Sequence, residues 1–213
     1  MRVTLEITTR QLQDEVKMLE LRRHDVVSKS NCWSVVVEYF RMFRYGFRSP
    51  SDELYGFVLS SLRLTMAPDV TDGEICGVDA LVGNWKLFSL SFDGVQFELE
   101  RMERCGAGSL IAITTTTVTI SSNSLESLFP HLVSNMTSDT DGAVLATKLL
   151  GQRFVMRGSV RFDWDDIHKQ VASMQTQADL LTPVLRLLGN LQDVSRVFEG
   201  AFVTPDCRLT AAR

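Results

Sequence analysis

The sequence predicts an α+β fold in which a curved, mostly antiparallel sheet packs on three helices. Two helix-like segments come first in the domain, and a turn-rich stretch with a third helix-like segment follows between residues 67 and 94. Four strand-like segments make up most of the remainder. In this order the third helix lies in the concavity of the sheet, and the fold is a cone with an apolar interior.

Composition sets the class of protein. A chain of 213 residues holds one core and an extension, and 45% hydrophobic with 23% charged residues is typical of a globular protein. The net charge of −4 argues against an autonomous nucleic-acid binder. No apolar run has the length of a membrane span, and the first residues lack a signal-peptide core, so neither membrane insertion nor secretion is expected. The scattered cysteines predict reduced, unpaired thiols: Cys32, Cys76, Cys105 and Cys207.

The first segment has a seven-residue rhythm. Leu5, Leu12, Leu19 and Val26 recur every seven residues, and Val16 adds an apolar position between two of them. Such a repeat keeps one apolar stripe facing a partner helix. The repeat therefore predicts, for residues 1–28, either a coiled coil or an amphipathic helix that packs on its own domain.

The main domain is expected over residues 32–203. Its first helix has an apolar face, formed by Trp33, Val36, Val37, Phe40, Phe43 and Phe47. Ser49, Pro50, Asp52 and Glu53 predict the start of the second helix, because a serine cap, an early proline and early acids complement its free amides.

The stretch from 67 to 94 organises the domain. Its first half, with Pro68, Asp69, Asp72 and Gly73, suits a small β-hairpin. Its second half predicts a helix whose apolar stripe faces the sheet: Val78, Leu81, Val82, Trp85, Phe88 and Phe92.

Four strands follow, predicted at residues 95–104, 109–121, 152–165 and 168–178. The four threonines from Thr114 to Thr117 indicate a β-branched ladder on the sheet. In the third of these strands, alternation places one set of side chains in the core: Phe154, Met156, Val160, Phe162 and Trp164. In the last strand, alternation sets Val171, Ser173 and Gln175 against Ala172 and Met174.

Helical segments interrupt and close the strand region. Asn123 and Glu126 have the spacing of a capping box, and residues 123–151 are expected to form a helical insertion between strands. Thr182 and Pro183 predict the start of one closing helix that runs to Gly200. Residues 204–213 are expected to be a tail with order only at its start.

No catalytic constellation stands out. His24, His131 and His168 lie far apart in the sequence and have no metal-site or triad spacing, so surface or capping roles are favoured. Asp69 and Asp163 could meet tyrosines in the cone, as a base beside a phenol donor does, but a turn and a polar strand face explain them equally. We predict no catalytic residue, no metal ligand and no cofactor.

The candidate lining of the cone interior consists of aromatic residues and one methionine. If these side chains fill the interior, the cone is a scaffold. If they surround an empty apolar pocket, a ligand is expected, and an added desolvated acid would indicate an enzyme. The candidate set is Tyr39, Tyr55, Trp85, Phe88, Phe92, Phe154, Met156, Phe162 and Trp164.

The chain resembles the C-terminal part of bZIP transcription factors from oomycetes, and its element order resembles the NTF2-like or SnoaL-like cone. The matching stretches run from about residue 11 to about residue 208 and include LELRRH, WSVVVEYFRMFRYGF, TMAPDV, CGVDAL, NWKLFSLSFD, LLGQRFVMRGSVRFDWD, QADLLTPVLRLLGNLQDVSRVF and VTPDC. The resemblance implies that Leu5, Leu12 and Leu19 end a leucine zipper, and that the protein is a nuclear, dimeric regulator of transcription.

The resemblance also sets the expected partners. We expect a homodimer or a heterodimer with a bZIP protein, with DNA reached only through a partner or through an upstream basic region that this sequence does not contain. The leading hypothesis is therefore a non-catalytic regulatory and dimerisation domain. The alternatives are a sensor domain for an unknown apolar ligand and, third, an isomerase-like or cyclase-like enzyme. Without the resemblance, a cytoplasmic location would be expected.

Overall fold

The computed structural model describes residues 31–48, 50–106, 108–134 and 140–210. The predicted coiled-coil segment, residues 1–28, lies outside these ranges, as do Leu5, Leu12, Val16, Leu19 and Val26. In the described part the chain forms eight helices and one six-stranded sheet, as the α+β prediction requires.

Two helices precede the sheet. Helix α1 spans Cys32–Phe43, and Asn31 and Ser34 form a reciprocal capping box at its start. Helix α2 spans Asp52–Thr65. Its N-cap is Ser51 rather than the predicted Ser49: the Ser51 hydroxyl accepts a hydrogen bond from the Leu54 amide at 3.3 Å.

The central stretch folds as predicted. Strands β1 (Met66–Asp72) and β2 (Ile75–Cys76) form an antiparallel hairpin, and Gly73 takes a φ of 65° in its turn. Helix α3 follows at Val78–Ser91. Val78, Leu81 and Val82 are buried on its inner stripe.

The remaining strands are β3 (Asp93–Arg104), β4 (Ser109–Thr119), β5 (Arg153–Asp165) and β6 (Gln170–Ala178). The sheet order is β2-β1-β6-β5-β4-β3, with β1 parallel to β6 and all other neighbours antiparallel. Thr114 to Thr117 lie within β4, as predicted. The predicted inner face of β5 is confirmed, since Phe154, Met156, Val160 and Phe162 are buried and Trp164 is half-buried.

The predicted faces of β6 are wrong. Val171 and Met174 are both buried, whereas Ala172 and Gln175 are exposed. The pairing with β5 shifts at this point, because Asp163 lies opposite Ser173 and the next residue, Trp164, lies opposite Val171. This bulge leaves one residue of β6 without a partner and reverses the alternation after it.

Three helices connect β4 to β5: α4 (Ser122–Leu128), α5 (Pro130–Ser134) and α6 (Thr140–Leu149). The predicted cap at Asn123 is two residues late. Ser121 is the N-cap, and it forms its capping box with Ser124.

The closing helix is two helices, α7 (Leu181–Leu188) and α8 (Leu191–Phe198). The break lies at Gly189, which takes the left-handed conformation with a φ of 78°, and Asn190 caps α8. The C-terminal segment packs beyond its predicted start: Val203 pairs with Leu209, and the amide of Thr210 donates to the carbonyl of Phe202 at 3.0 Å.

Two hydrophobic cores cover the inner face of the sheet. The first lies between α1, α2, α3 and the sheet. The second lies between the sheet and helices α4 to α8, and it includes the half-buried Cys207 and Leu209 of the C-terminal segment. The inner face is therefore covered along its whole length by different helices.

Candidate functional site

An aromatic cluster occupies the first core. Its members share one property, which is ring-to-ring contact across elements that are distant in the sequence. They are Tyr39, Phe40 and Phe43 on α1, Trp85 on α3, Phe97 on β3 and Phe162 on β5. The spacing of the α1 residues puts them on one helix face, and the alternation of the strands turns Phe97 and Phe162 inward toward it.

Trp85 lies at the centre of this aromatic cluster. Its ring stacks on Phe43 with centroids 4.6 Å apart and planes 7° apart, and it lies 5.0 Å from the ring of Phe97. Its indole Nε1 donates a hydrogen bond to the Tyr39 hydroxyl at 2.7 Å. Offset and edge-on ring contacts of this kind stabilise a core beyond the area that they bury. These contacts join α1, α3 and β3 through one aromatic side chain.

Tyr39 is the buried polar group of the cluster. Only 2% of it is exposed. Burial raises the pKa of its phenol well above the usual range, the Asp72 carboxylate adds to this rise, and the hydrogen bond from Trp85 opposes it. The phenol is therefore neutral at physiological pH, and its oxygen serves as an acceptor for the indole.

The other predicted lining residues separate into two groups. Phe88, Phe92, Phe154 and Met156 belong to the second core, where Phe92 is 4.9 Å from Phe88 between ring centroids. Tyr55 and Trp164 are half-buried against the first core, with Tyr55 stacked on Phe47. The predicted set therefore lies along the whole inner face rather than around one central space.

The two carboxylates considered as bases do not meet the aromatic cluster. Asp69 is exposed on β1. Asp163 alternates with the buried Phe162, and it accepts hydrogen bonds from Ser109 at 2.7 Å and Ser173 at 2.8 Å. Partial burial alone would raise the pKa of Asp163, but these hydrogen bonds, with one from Arg161, outweigh it and lower the pKa. A carboxylate held in its ionised form in this way is a weak base.

Asp72 is a carboxylate close to the cluster that the sequence indicated only as a turn residue. Asp72 ends β1, and its carboxylate accepts from the Thr176 amide at 2.9 Å and from the Thr176 hydroxyl at 2.6 Å. These bonds join the end of β1 to β6. A parallel strand pair brings the two residues together across 104 positions of sequence, so no local pattern could have predicted the contact.

The histidines lie apart, as predicted for those that the structure describes. The Nε2–H of His131 donates to the Arg196 carbonyl at 3.1 Å, and its buried Nδ1 has no partner among the described residues. His168 is exposed, with Nδ1 at 2.6 Å from Asp165. His24 lies outside the described residues. Over the described ranges, no three residues among His, Cys, Asp and Glu are grouped so as to hold a metal ion.

The cysteines are unpaired, as the sequence predicted. Burial, followed by the charge of Asp166, raises the pKa of the Cys32 thiol to about 11, although Arg104 opposes the shift. Burial, followed by Asp206, raises the pKa of Cys207 to about 12. Because the thiolate is the reactive form, these two cysteines are poor nucleophiles near neutral pH.

The fold defines a class of protein. A SnoaL-like polyketide cyclase from Agrobacterium tumefaciens strain C58 matches with a TM-score of 0.50 and 14% identity, over 76% of this chain and all of that chain. An NTF2-like protein of unknown function from Exiguobacterium sp. 255-15 matches with a TM-score of 0.44 and 10% identity, over 68% of this chain and 98% of that one. The match to the SnoaL-like cyclase shows that the described chain has the α+β cone fold that the resemblance implied.

The family match is more specific. Residues 33–91 match the family model of the BZIP transcription factor 1 C-terminal domain. This range holds α1, α2, the hairpin and α3, which supply most of the first core. The expected similarity to bZIP transcription factors is confirmed over these residues. A comparison with curated proteins finds no match.

A membrane-spanning helix was not expected. Among the helices that the structure describes, none combines the length and the apolar character that crossing a bilayer requires.

Proposed function

We propose that this protein is a non-catalytic regulatory and dimerisation domain of a bZIP-like transcription factor. The family match over residues 33–91 supports the regulatory setting. The observation that carries the non-catalytic part is the hydrogen bond from Trp85 to Tyr39 within the aromatic cluster. Rings that contact one another in this way leave the centre of the first core to side chains rather than to a substrate.

The arrangement of polar groups supports the same proposal. An enzyme of the cone type would need a base and a donor that face one apolar space. Here the Tyr39 hydroxyl is engaged by an indole donor, and Asp163 faces the opposite side of the sheet with three hydrogen-bond donors around it. The cyclase name belongs to the structural neighbour, and at 14% identity that likeness supports the fold alone.

The proposed partners follow from the amino-terminal repeat. We infer that Leu5, Leu12, Val16, Leu19 and Val26 form the seam of a coiled coil with a second copy or with a bZIP protein. DNA is then contacted by basic helices of the dimer, because a net charge of −4 does not favour binding to phosphates by the domain itself. This function places the protein in the nucleus.

The proposal is tested by fluorescence anisotropy of a labelled duplex bound to a bZIP protein whose C-terminal region matches the same family model. The 213-residue chain is titrated in at fixed salt. Because this polypeptide brings no basic helix to the assay, each heterodimer has one basic helix instead of two, and the bound fraction should fall.

The matched control carries Leu12→Lys and Leu19→Lys, which place charges in the seam and should remove the effect. Association of the two proteins without any change in bound DNA would contradict the regulatory proposal. Sequence-specific binding of the duplex by this chain alone would contradict the assignment of DNA contacts to its partner.

A further inference from the structure

The outer face of the sheet, defined as the side of β3, β4 and β5 that points away from both cores, has separated charges. Its β5 edge is basic and its β3 edge is mostly acidic, with the neutral side chains of β4 between them. The apolar Val155 on this face is 56% exposed. A face of this kind is open to a partner, because every helix with bounds given above packs on the inner side or at the ends of the strands.

The charges are in register across the three strands. Thr115 of β4 lies opposite Arg157 of β5 and opposite Glu98 of β3. The same order of arginine, neutral residue and acid occurs in two further rows, one on each side of the first. These rows are Arg161–Ile111–Glu103 and Arg153–Thr119–Asp93.

The central row is the least neutralised within the chain. Arg157 has no ion pair and no side-chain hydrogen bond with any residue in the described ranges, and it is exposed. Glu98 has one ion pair, with Arg44 at 3.5 Å, and about half of each side chain is exposed. Exposed pairs of this kind contribute little to stability, so both charges remain open to a partner.

We propose that the outer face binds the outer face of a second copy of this chain, about a two-fold axis that runs parallel to β4 between the sheets. A rotation about this axis places β4 on β4 and exchanges the two edges. Arg157 of each copy then lies over Glu98 of the other, at the same level along the strands. A two-fold axis across the strands would instead oppose like charges, so the register selects one geometry.

The size of the face fits a modest interface. Eleven residues of β4 span about 36 Å, and three to four strands span roughly 15–19 Å, so the face measures on the order of 600 Å². A standard interface buries about 800 Å² on each side. Aligned sheets cross at about 30°, which keeps the central row in contact while the outer rows diverge. We therefore expect a weak dimer with Arg157 and Glu98 at its centre.

This interface deepens the dimerisation part of the proposed function and rests on it for its biological setting. Other occupants are less well matched to the face. Nucleic acid would be repelled by the β3 edge, and a lipid surface would meet charges of both signs. Only a self-complementary partner pairs both edges at once.

The test is a charge exchange in the full chain carrying Leu12→Lys and Leu19→Lys, so that a coiled-coil seam does not hold the dimer. Analytical ultracentrifugation measures the dissociation constant. Arg157→Glu alone and Glu98→Arg alone should each weaken the dimer about tenfold, because each places like charges together at two symmetry-related positions. An equimolar mixture of the two variants should restore dimerisation to within about threefold of the unreversed chain, because both pairs are attractive again in the heterodimer.

The matched controls are Lys86→Glu and Glu126→Arg, which reverse exposed charges on α3 and α4 and should leave the dissociation constant unchanged. Three results would each overturn the proposed interface. They are the absence of any dimer up to about 1 mM, an equal change in the dissociation constant from the control variants, and a mixture of the two charge variants that does not recover dimerisation. If the lysine background does not fold, the two charge variants are mixed with Leu12 and Leu19 intact. A heterodimer fraction above the statistical half then supports the interface, and the statistical half overturns it.

These results are separable from the proposed function. A lost interface with an intact effect in the anisotropy assay overturns this inference alone. An intact interface without that effect overturns the regulatory proposal alone.

Discussion

Removing the indole donor at the centre of the aromatic cluster should destabilise the protein more than removing the phenol that accepts from it. Trp85→Phe takes away the Nε1–H that lies 2.7 Å from the Tyr39 hydroxyl, and only 2% of Tyr39 is exposed. An unsatisfied buried hydroxyl costs about 1–3 kcal/mol. The smaller ring also loses stacking on Phe43 and contact with Phe97. We therefore expect a total loss of about 2–4 kcal/mol in the free energy of unfolding.

A double-mutant cycle separates the hydrogen bond from the packing. Tyr39→Phe alone should cost about 1–2 kcal/mol, because it leaves the indole N–H of the half-buried Trp85 without its acceptor. In the double variant neither polar group is left unpaired, so the total loss should be about 1 kcal/mol smaller than the sum of the single losses. Urea unfolding at equilibrium measures all four proteins. Additivity within about 0.3 kcal/mol would refute the coupling and would mean that water reaches this part of the interior.

Four further predictions concern the sheet and helix α3. Phe162→Ala should cost about 3–5 kcal/mol because Phe162 is fully buried, whereas Arg157→Ala should stay within about 0.5 kcal/mol; similar losses in urea unfolding would mean that the faces of β5 are misassigned. Gly158→Ala should cost about 1–3 kcal/mol, since its Cβ would overlap the Gln177 carbonyl oxygen and lie 3.0 Å from the Thr114 hydroxyl. The helix glycine Gly83 has open space around it, so Gly83→Ala should stabilise by about 0.5–1 kcal/mol in the same assay. Asp163 has a lowered pKa in the folded protein, so its contribution to stability is present above the unfolded pKa of about 3.9 and is lost as the pH falls through the lower, folded value. The stability difference between wild type and Asp163→Asn should therefore be constant above about pH 5 and shrink in more acidic urea titrations; a difference that persists unchanged at low pH would contradict the shift.

The sequence predicted those elements whose periodicity is uninterrupted. The stripe of α3 and the alternation of β5 each specify one face over a whole element, and both are observed. Periodicity could not locate the bulge opposite Asp163 and Trp164, because an extra residue in a strand is set by the pairing with its neighbour. Periodicity also predicted one continuous helix through Gly189, because the apolar stripes of α7 and α8 are in phase. The left-handed residue between them does not interrupt the apolar pattern.

The distribution of the candidate lining residues over two cores could not be predicted from alternation, for a geometric reason. Alternation along a strand tells which side chains point inward, but it does not tell how far along the sheet they lie. Phe162 and Met156 share one face of β5 and yet belong to different cores. The pairing of Tyr39 with Trp85 spans 46 residues and depends on how α1 and α3 pack, which no local pattern encodes.

The two cores also explain why the outer face is the side of the sheet that a partner can reach. A cone with one core exposes the remaining inner face at its open end, where ligands of suitable shape can enter. Here α4, α5 and α6 between β4 and β5, together with α7 and α8, cover that part of the sheet with side chains from the second core, including Phe154 and Met156. Both ends of the inner face are thus occupied by helices, and the sheet offers a partner its other side. On that side the arginines of β5 and the acids of β3 are separated by one strand, so the charges that keep the face soluble in a monomer are the same charges that a second copy can pair.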